Sequence, residues 1–121
     1  LILGIGVDLC KISRMHKIVE NEHFLSRVFH PCEITYASSK ADPAQHYASS
    51  FAAREAFTKA SGLSLMKTVF QGVWVERTGN GPVLRINENL SDCPGCNNLR
   101  IHLSISHEDE FAIAFVVLEV D

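Results

Sequence analysis

The sequence predicts an α+β protein in which a mostly antiparallel sheet packs against one long helix and several short helices. Three observations lead there. An apolar, β-branched segment opens the chain. An alanine-rich stretch over residues 43–61 has the composition and length of a long helix. Four strand-like segments then follow one another without helices between them, which is the order of an α+β fold and not of a doubly wound sheet.

Residues 2–9 (Ile-Leu-Gly-Ile-Gly-Val-Asp-Leu) read as a buried strand in which Gly4 and Gly6 clear one face for a neighbouring backbone or a ligand. Residues 11–20 fit a short amphipathic helix with Ile12, Met15 and Val19 inward and Ile18 beside them. Asn21 to Ser38 holds two more short helices, the second opening at Pro31 with Glu33 in its first turn. A polar loop leads to Asp42 as N-cap and Pro43 as first residue of the long helix, which ends at Gly62. After a loop over 63–68, residues 69–77 read as a strand, Thr78-Gly-Asn-Gly81 as a hairpin turn and Pro82–Ile86 as the returning strand. A helical turn is expected at 87–90. Residues 99–106 alternate, with Leu99, Ile101, Leu103 and Ile105 on one side and Arg100, His102, Ser104 and Ser106 on the other. An acidic turn, His107 to Glu110, precedes an apolar closing strand at 111–117, antiparallel to its predecessor.

The 121 residues fit a single domain spanning 1–121, large enough to bury its own core. With 46% hydrophobic and 21% charged residues the composition is that of an ordinary globular protein. No apolar run approaches the roughly 18 residues of a membrane span, and no signal peptide is recognised. A net charge of −3 argues against a general nucleic-acid binder. The spacing of Cys10, Cys32, Cys93 and Cys96 is no disulfide framework, so a reducing, cytoplasmic compartment is expected. Cys93-Pro-Gly-Cys96 would need two more ligands to hold zinc and lies in a loop, not at the helix start that a redox pair favours.

Three groups of residues carry chemistry. Glu55 and Lys59, four apart on the long helix, share a side opposite Ala53, Ala56, Phe57 and Ala60, with Ala48 and Phe51 flanking them. This is either a surface ion pair or a ligand face with room above small residues. Asp8 near the end of an apolar strand needs a helix N-terminus, a partner or a cation to offset its burial. Lys11, Arg14, His16 and Lys17 make the first helix basic in an acidic protein, which suits a negatively charged partner.

Taken together, Gly-Ile-Gly-Val-Asp8, Phe51-Ala-Ala-Arg-Glu55-Ala-Phe-Thr-Lys59-Ala and Leu103-Ser-Ile-Ser-His107 resemble the holo-acyl-carrier-protein synthases, the small 4′-phosphopantetheinyl transferases, over about Ile2 to Glu119. The chain departs from that family's usual pattern with Arg54 in place of Lys and with Gly-Asn-Gly-Pro82 in the hairpin turn, and its Cys93–Cys96 loop matches no family feature. The resemblance implies transfer of the phosphopantetheine arm of coenzyme A to a serine of apo acyl carrier protein, releasing adenosine 3′,5′-bisphosphate, with Mg²⁺ and in compact homotrimers whose sites lie between subunits.

It implies Asp8 and Glu55 as metal ligands, the two carboxylates that Mg²⁺ prefers beside phosphates and water. Lys59 would reach phosphate or leaving-group oxygens as a point charge and is expected to lower the pKa of Glu55. His107, facing the space beside Gly4 and Gly6, is expected at a coenzyme A phosphate, or else to bond local backbone as a turn histidine. Arg54 is expected at a phosphate or at a subunit interface. Ser106 and Glu108, flanking His107, are lesser candidates for the coenzyme or for waters of the metal shell. Glu55 is the candidate base. Arg14 is the leading carrier contact, with Lys11 and Lys17. The rival readings are a non-catalytic coenzyme A or nucleotide binding module, a thiol-redox or zinc protein built on Cys93 and Cys96, and service to a carrier other than that of fatty acid synthesis.

Overall fold

The structure, a computed structural model, describes residues 1–69, 72–88, 90 and 98–121. Its elements run β1 (Ile2–Lys11), α1 (Ile12–Ile18), α2 (Glu22–Val28), α3 (Pro31–Ser38), α4 (Pro43–Ser61), α5 (Leu65–Val69), β2 (Val73–Thr78), β3 (Gly81–Ile86), β4 (Arg100–Glu108) and β5 (Phe111–Glu119). One sheet has the order β1-β5-β4 and the hairpin β2-β3 forms a second, with every pairing antiparallel. The Cys93–Cys96 loop lies outside the described residues, as do residues 70 and 71 of the strand expected from 69.

The core forms where α4 lies on the three-stranded sheet. Gly4 and Gly6 make that approach possible. A Cβ on Gly4 would overlap the carbonyl oxygen of Ala60, and one on Gly6 that of Ala56. Two residues of strand rise about 6.6 Å and four residues of helix about 6 Å, so the two repeats stay in step. Gly-x-Gly on β1 therefore meets Ala-x₃-Ala on an antiparallel α4, backbone against backbone. The cleared space belongs to the helix and not to a ligand.

Alternation then fixes the two faces of the sheet. Gly6, Cys10, Ala112, Ala114, Val116 and Leu118 are buried toward α4. Leu3, Ile5, Val7 and Leu9 point the other way and are exposed, as is Phe115. The first strand is thus an edge strand buried on one face only, where an apolar run had suggested burial on both.

Elements also cover α4 from its other sides, and Ala44, Tyr47, Ala48, Ala52, Ala53, Ala56, Phe57 and Ala60 are all buried. Its ligand-facing side narrows to the neighbourhood of Glu55 and Lys59. Small residues suit a helix enclosed nearly all round. Pro43 starts it and Gly62, at φ 76°, ends it as a left-handed C-cap. Asp42 sits at the N-cap, but its side chain makes no capping bond.

Arg54 is fully buried. Its guanidinium forms a two-pronged ion pair with Glu33 and donates to the carbonyls of Ser50 and Val28, both at 3.1 Å. Glu33 also accepts from the backbone N–H of Val75 at 2.9 Å and caps α3 through His30 N–H at 2.8 Å. One buried pair therefore ties α3, α4 and β2 together. The expected phosphate or subunit contact for Arg54 is corrected here, because no part of its side chain reaches the surface.

Elsewhere the boundaries shift. A short helix, α5, replaces the loop expected over 63–68, and β4 runs on through His107 and Glu108, leaving Asp109 and Glu110 as the turn. Where a helical turn is expected at 87–90, residue 89 lies outside the described residues, and Leu90 N–H donates to Asn87 O at 2.9 Å.

Gly6→Ala forces strand and helix apart and is expected to lower the unfolding free energy by about 1–3 kcal/mol in denaturant melts. Arg54→Ala leaves Glu33 charged and unpaired in the core, with an expected loss of about 3–5 kcal/mol.

Candidate active site

The packing of β1 on α4 places Asp8 beside Glu55 and Lys59. Asp8 shares the inward face with Gly4 and Gly6, two residues beyond the last glycine, and its side chain is 13% exposed. Lys59 Nζ donates to Asp8 Oδ1 and to the carbonyl of Val7, both at 2.9 Å. The Lys59 side chain remains 56% exposed, which leaves its third N–H free for an incoming anion. Asp8 does not cap α1, whose N-cap is Lys11 with no side-chain capping bond.

The Asp8 carboxylate also adjoins that of Glu55, close enough to act on it electrostatically. Burial pushes the Glu55 pKa up, and the Asp8 charge and hydrogen bond push it further, against smaller opposing effects of Arg14 and Lys59. Lys59 does act to lower it, as expected, but the net shift is upward and does not keep Glu55 ionised as expected. Lys59 is committed to Asp8, and desolvation plus a like-charged neighbour outweigh its attraction. Cys10 lies beneath this group, buried, with its thiol pushed up to about 11 by burial, and so serves as an inert filler.

This donor set fits a magnesium-like ion. Two adjacent carboxylates repel each other, and a divalent cation held by both would relieve that repulsion. Among the described residues no third His, Cys, Asp or Glu joins them. Mg²⁺ ordinarily takes its remaining ligands from phosphates and water, whereas a structural zinc site would need four protein ligands.

His107 is not part of this group within one chain. It pairs with Ala112 on β5, while Asp8 pairs with Ala114, so β5 separates the two side chains. Two strand spacings and two residues of rise put them on the order of 12 Å apart. His107 is bonded instead to Gln45 Nε2, near the N-terminal end of α4, and the space expected beside Gly4 and Gly6 is closed by the helix. Ser106 points to the opposite, outer face. With His107, Leu9, Glu108 and Phe111 it lines an open cleft of about 440 Å³, away from the carboxylates.

Lys11 at the N-cap of α1 and Arg14, His16 and Lys17 on the helix are all exposed. Arg14 is close enough to act electrostatically on both Glu55 and Cys10, so the basic helix adjoins the carboxylate pair. Lys11 and His16 share a smaller cleft with Asp109 and Glu110, so that end of the basic face already meets the chain's own acidic turn.

A second charged group was not apparent from the sequence. Tyr36 on α3 is flanked by Lys40 Nζ at 4.7 Å and the Arg77 guanidinium at 4.8 Å from its ring centre, with the His46 ring edge-on at 5.1 Å. These residues come from three elements at no regular spacing, and no local pattern announces them.

Comparison with known proteins agrees with this arrangement. The model of the 4′-phosphopantetheinyl transferase superfamily matches residues 4–116. The chain is 40% identical to a holo-(acyl-carrier-protein) synthase of Halothermothrix orenii, over 98% of each chain. It is 37% identical to one of Clostridium perfringens, over 98% of this chain and 95% of the relative. Among solved structures, the Bacillus anthracis holo-(acyl-carrier-protein) synthase in complex with coenzyme A superposes with a TM-score of 0.79 at 31% identity, covering 99% of this chain and 98% of that one. The Neisseria meningitidis synthase gives a TM-score of 0.85 at 29% identity, covering 98% and 99%. By its carboxylate–lysine group on a glycine-backed helix and by these similarities, the chain belongs to the 4′-phosphopantetheinyl transferase superfamily.

Proposed function

We propose that the chain transfers the 4′-phosphopantetheine group of coenzyme A to a serine of apo acyl carrier protein in a Mg²⁺-dependent reaction, as a cytoplasmic enzyme of fatty acid biosynthesis. The observation that carries this reading is the Asp8–Glu55–Lys59 group, held on two packed backbones in a chain of this family. Attack of a serine hydroxyl on a pyrophosphate phosphorus depends mainly on positioning and on neutralising oxygen charge.

Asp8 and Glu55 would hold the metal, which when bound neutralises the pyrophosphate oxygens. Lys59, anchored by Asp8 and Val7 O, directs its remaining N–H toward the same oxygens. The serine oxygen forms the new bond to the phosphorus that carries pantetheine. The bond from that phosphorus to the bridging oxygen breaks, and adenosine 3′,5′-bisphosphate departs with the electron pair. Glu55, whose proton affinity is raised, is assigned to take the serine proton. The exposed basic residues of α1 and its N-cap, led by Arg14 with Lys11 and Lys17, are assigned to the acidic carrier.

The exposed Leu3, Ile5, Val7, Leu9 and Phe115 form a contiguous apolar face, larger than a scattering of single surface side chains. We assign this face to packing between copies in a homotrimer. His107, on the order of 12 Å from Asp8 within one chain, would then serve a neighbour's carboxylates at a subunit boundary.

Incubation with apo carrier, coenzyme A and Mg²⁺ tests the reading. The carrier is expected to gain about 340 Da, the mass of a phosphopantetheine group after phosphoryl-type transfer. Glu55→Gln is expected to slow this by roughly 10²–10⁴-fold, and Arg14→Glu to raise the KM for carrier far more than that for coenzyme A. Ligand binding with no mass gain on any carrier, beside an active control enzyme, would instead identify a binding module.

A further inference from the structure

The turn between β4 and β5 sets acidic side chains against the start of the basic helix. Its two residues, Asp109 and Glu110, are both exposed. Backbone contacts fix the turn in place. Lys11 pairs with Phe111, Phe111 pairs with Glu108, and the N–H of Ile12 donates to the carbonyl of Glu110 at 2.9 Å. Asp109, at φ 34°, is the single non-glycine residue with positive φ among those described. Asp109 and Glu110 line a cleft of about 260 Å³ together with Lys11, Ile12, Ser13 and His16. Ser13 and His16, three apart, thus face the turn, while Arg14 and Lys17, also three apart, form the adjoining stripe of α1 outside the cleft. Across the cleft the opposite charges do not cancel by contact. None of Lys11, Arg14, His16, Lys17, Asp109 and Glu110 joins an ion pair within 4 Å among the described residues. Both signs of charge therefore reach solvent, and a partner within about 8 Å feels each at physiological ionic strength.

We propose that Asp109 and Glu110 are specificity-determining residues that set where an acidic carrier docks along α1. The proposal rests on the basic helix being the carrier surface. A carrier brings a negatively charged face to the basic residues of α1 and its N-cap. On the Lys11–His16 side that face also meets the two carboxylates of the turn, and like charges brought together disfavour the placement. The Arg14–Lys17 stripe lies outside the cleft that holds those carboxylates, and Arg14 is the basic residue whose charge acts on Glu55. Repulsion from one side of the helix thus biases the carrier onto the other, the side that adjoins the carboxylate pair. Carriers whose acidic groups cluster over Arg14 and Lys17 are accepted, and those whose acidic groups extend over the turn are rejected.

Calorimetric binding of apo acyl carrier protein to the wild type and to Asp109→Asn/Glu110→Gln, without coenzyme A, tests the turn apart from turnover. Asn tolerates the left-handed conformation, and Gln keeps the backbone carbonyl that Ile12 uses, so both substitutions spare the fold. At low salt the double variant is expected to bind carrier roughly 3–10-fold more tightly, the size of one or two exposed charge pairs. The difference is expected to vanish at about 1 M salt, where screening cuts the reach of a charge to about 3 Å. In turnover, KM for carrier and kcat are expected to fall together, because the carrier now also binds where its serine misses Glu55, while KM for coenzyme A is unchanged. Carrier binding unchanged or weakened at low salt, a gain that persists at high salt, or a lower KM with kcat intact would overturn the proposal. If the double variant does not fold, either single substitution is held to the same criteria. The expected binding pattern with no mass gain on any carrier would uphold the role of the turn and defeat the transferase reading. Mass gain on carrier, with wild type and turn variants indistinguishable, would do the reverse.

Discussion

The structure depends on one contact, the backbone of β1 lying directly on the backbone of α4. Two glycines on the strand and two alanines on the helix allow it, and the near-equality of two strand steps with four helix steps keeps it in register. The next inward residue after Gly4 and Gly6 is Asp8, so the same repeat that closes the core delivers a carboxylate to the side of Glu55. Polar groups this close are costly unless they share a proton, a cation or a salt bridge. Here Lys59 supplies the salt bridge, and Glu55 responds with a raised affinity for protons. Site and core are consequences of one packing arrangement.

The Arg54–Glu33 pair supports that arrangement from the far side of the helix. A buried ion pair is seldom a large net source of stability, because desolvation offsets its attraction. It does constrain geometry, since its hydrogen bonds join α3, the end of α2, α4 and β2 at one point. Glu55 is the next residue along α4, so rotation or sliding of the helix would break these bonds before it displaced the catalytic face. Neighbouring residues thus divide their work, with Arg54 holding the helix and Glu55 facing the ligand.

Much of this was legible in the sequence because it is local. The glycine-spaced strand, the alanine-rich helix with its proline start and glycine stop, the hairpin turn and the alternation of β4 are written in short-range patterns. Asp8, Glu55 and Lys59 stood out as charges set among small or apolar residues. What could not be read is non-local. The long reach of Glu33 to Arg54 turned an expected ligand contact into a core tie. The relative weight of Asp8 and Lys59 on Glu55 depends on distances no pattern encodes, so the lowering by Lys59 was foreseen but not that burial and Asp8 outweigh it. His107 was placed at the wrong end of α4 because a strand-end position does not reveal how many strands separate it from Asp8. The Tyr36 cluster gathers residues from α3, the loop after it, α4 and β2, with nothing in the intervening sequence to link them.

The central claim is that packing brings Asp8 and Glu55 together as a carboxylate pair in which Glu55 holds its proton more tightly than usual, a pair suited to a divalent cation. It is tested most directly by following the Glu55 carboxyl carbon by NMR through a pH titration. The account predicts a Glu55 pKa above its ordinary 4.5 in the free protein, a fall toward that value in Asp8→Asn, and a fall in the wild type when Mg²⁺ and coenzyme A are added. A Glu55 that titrates at its ordinary value and responds to neither the substitution nor the metal would contradict it.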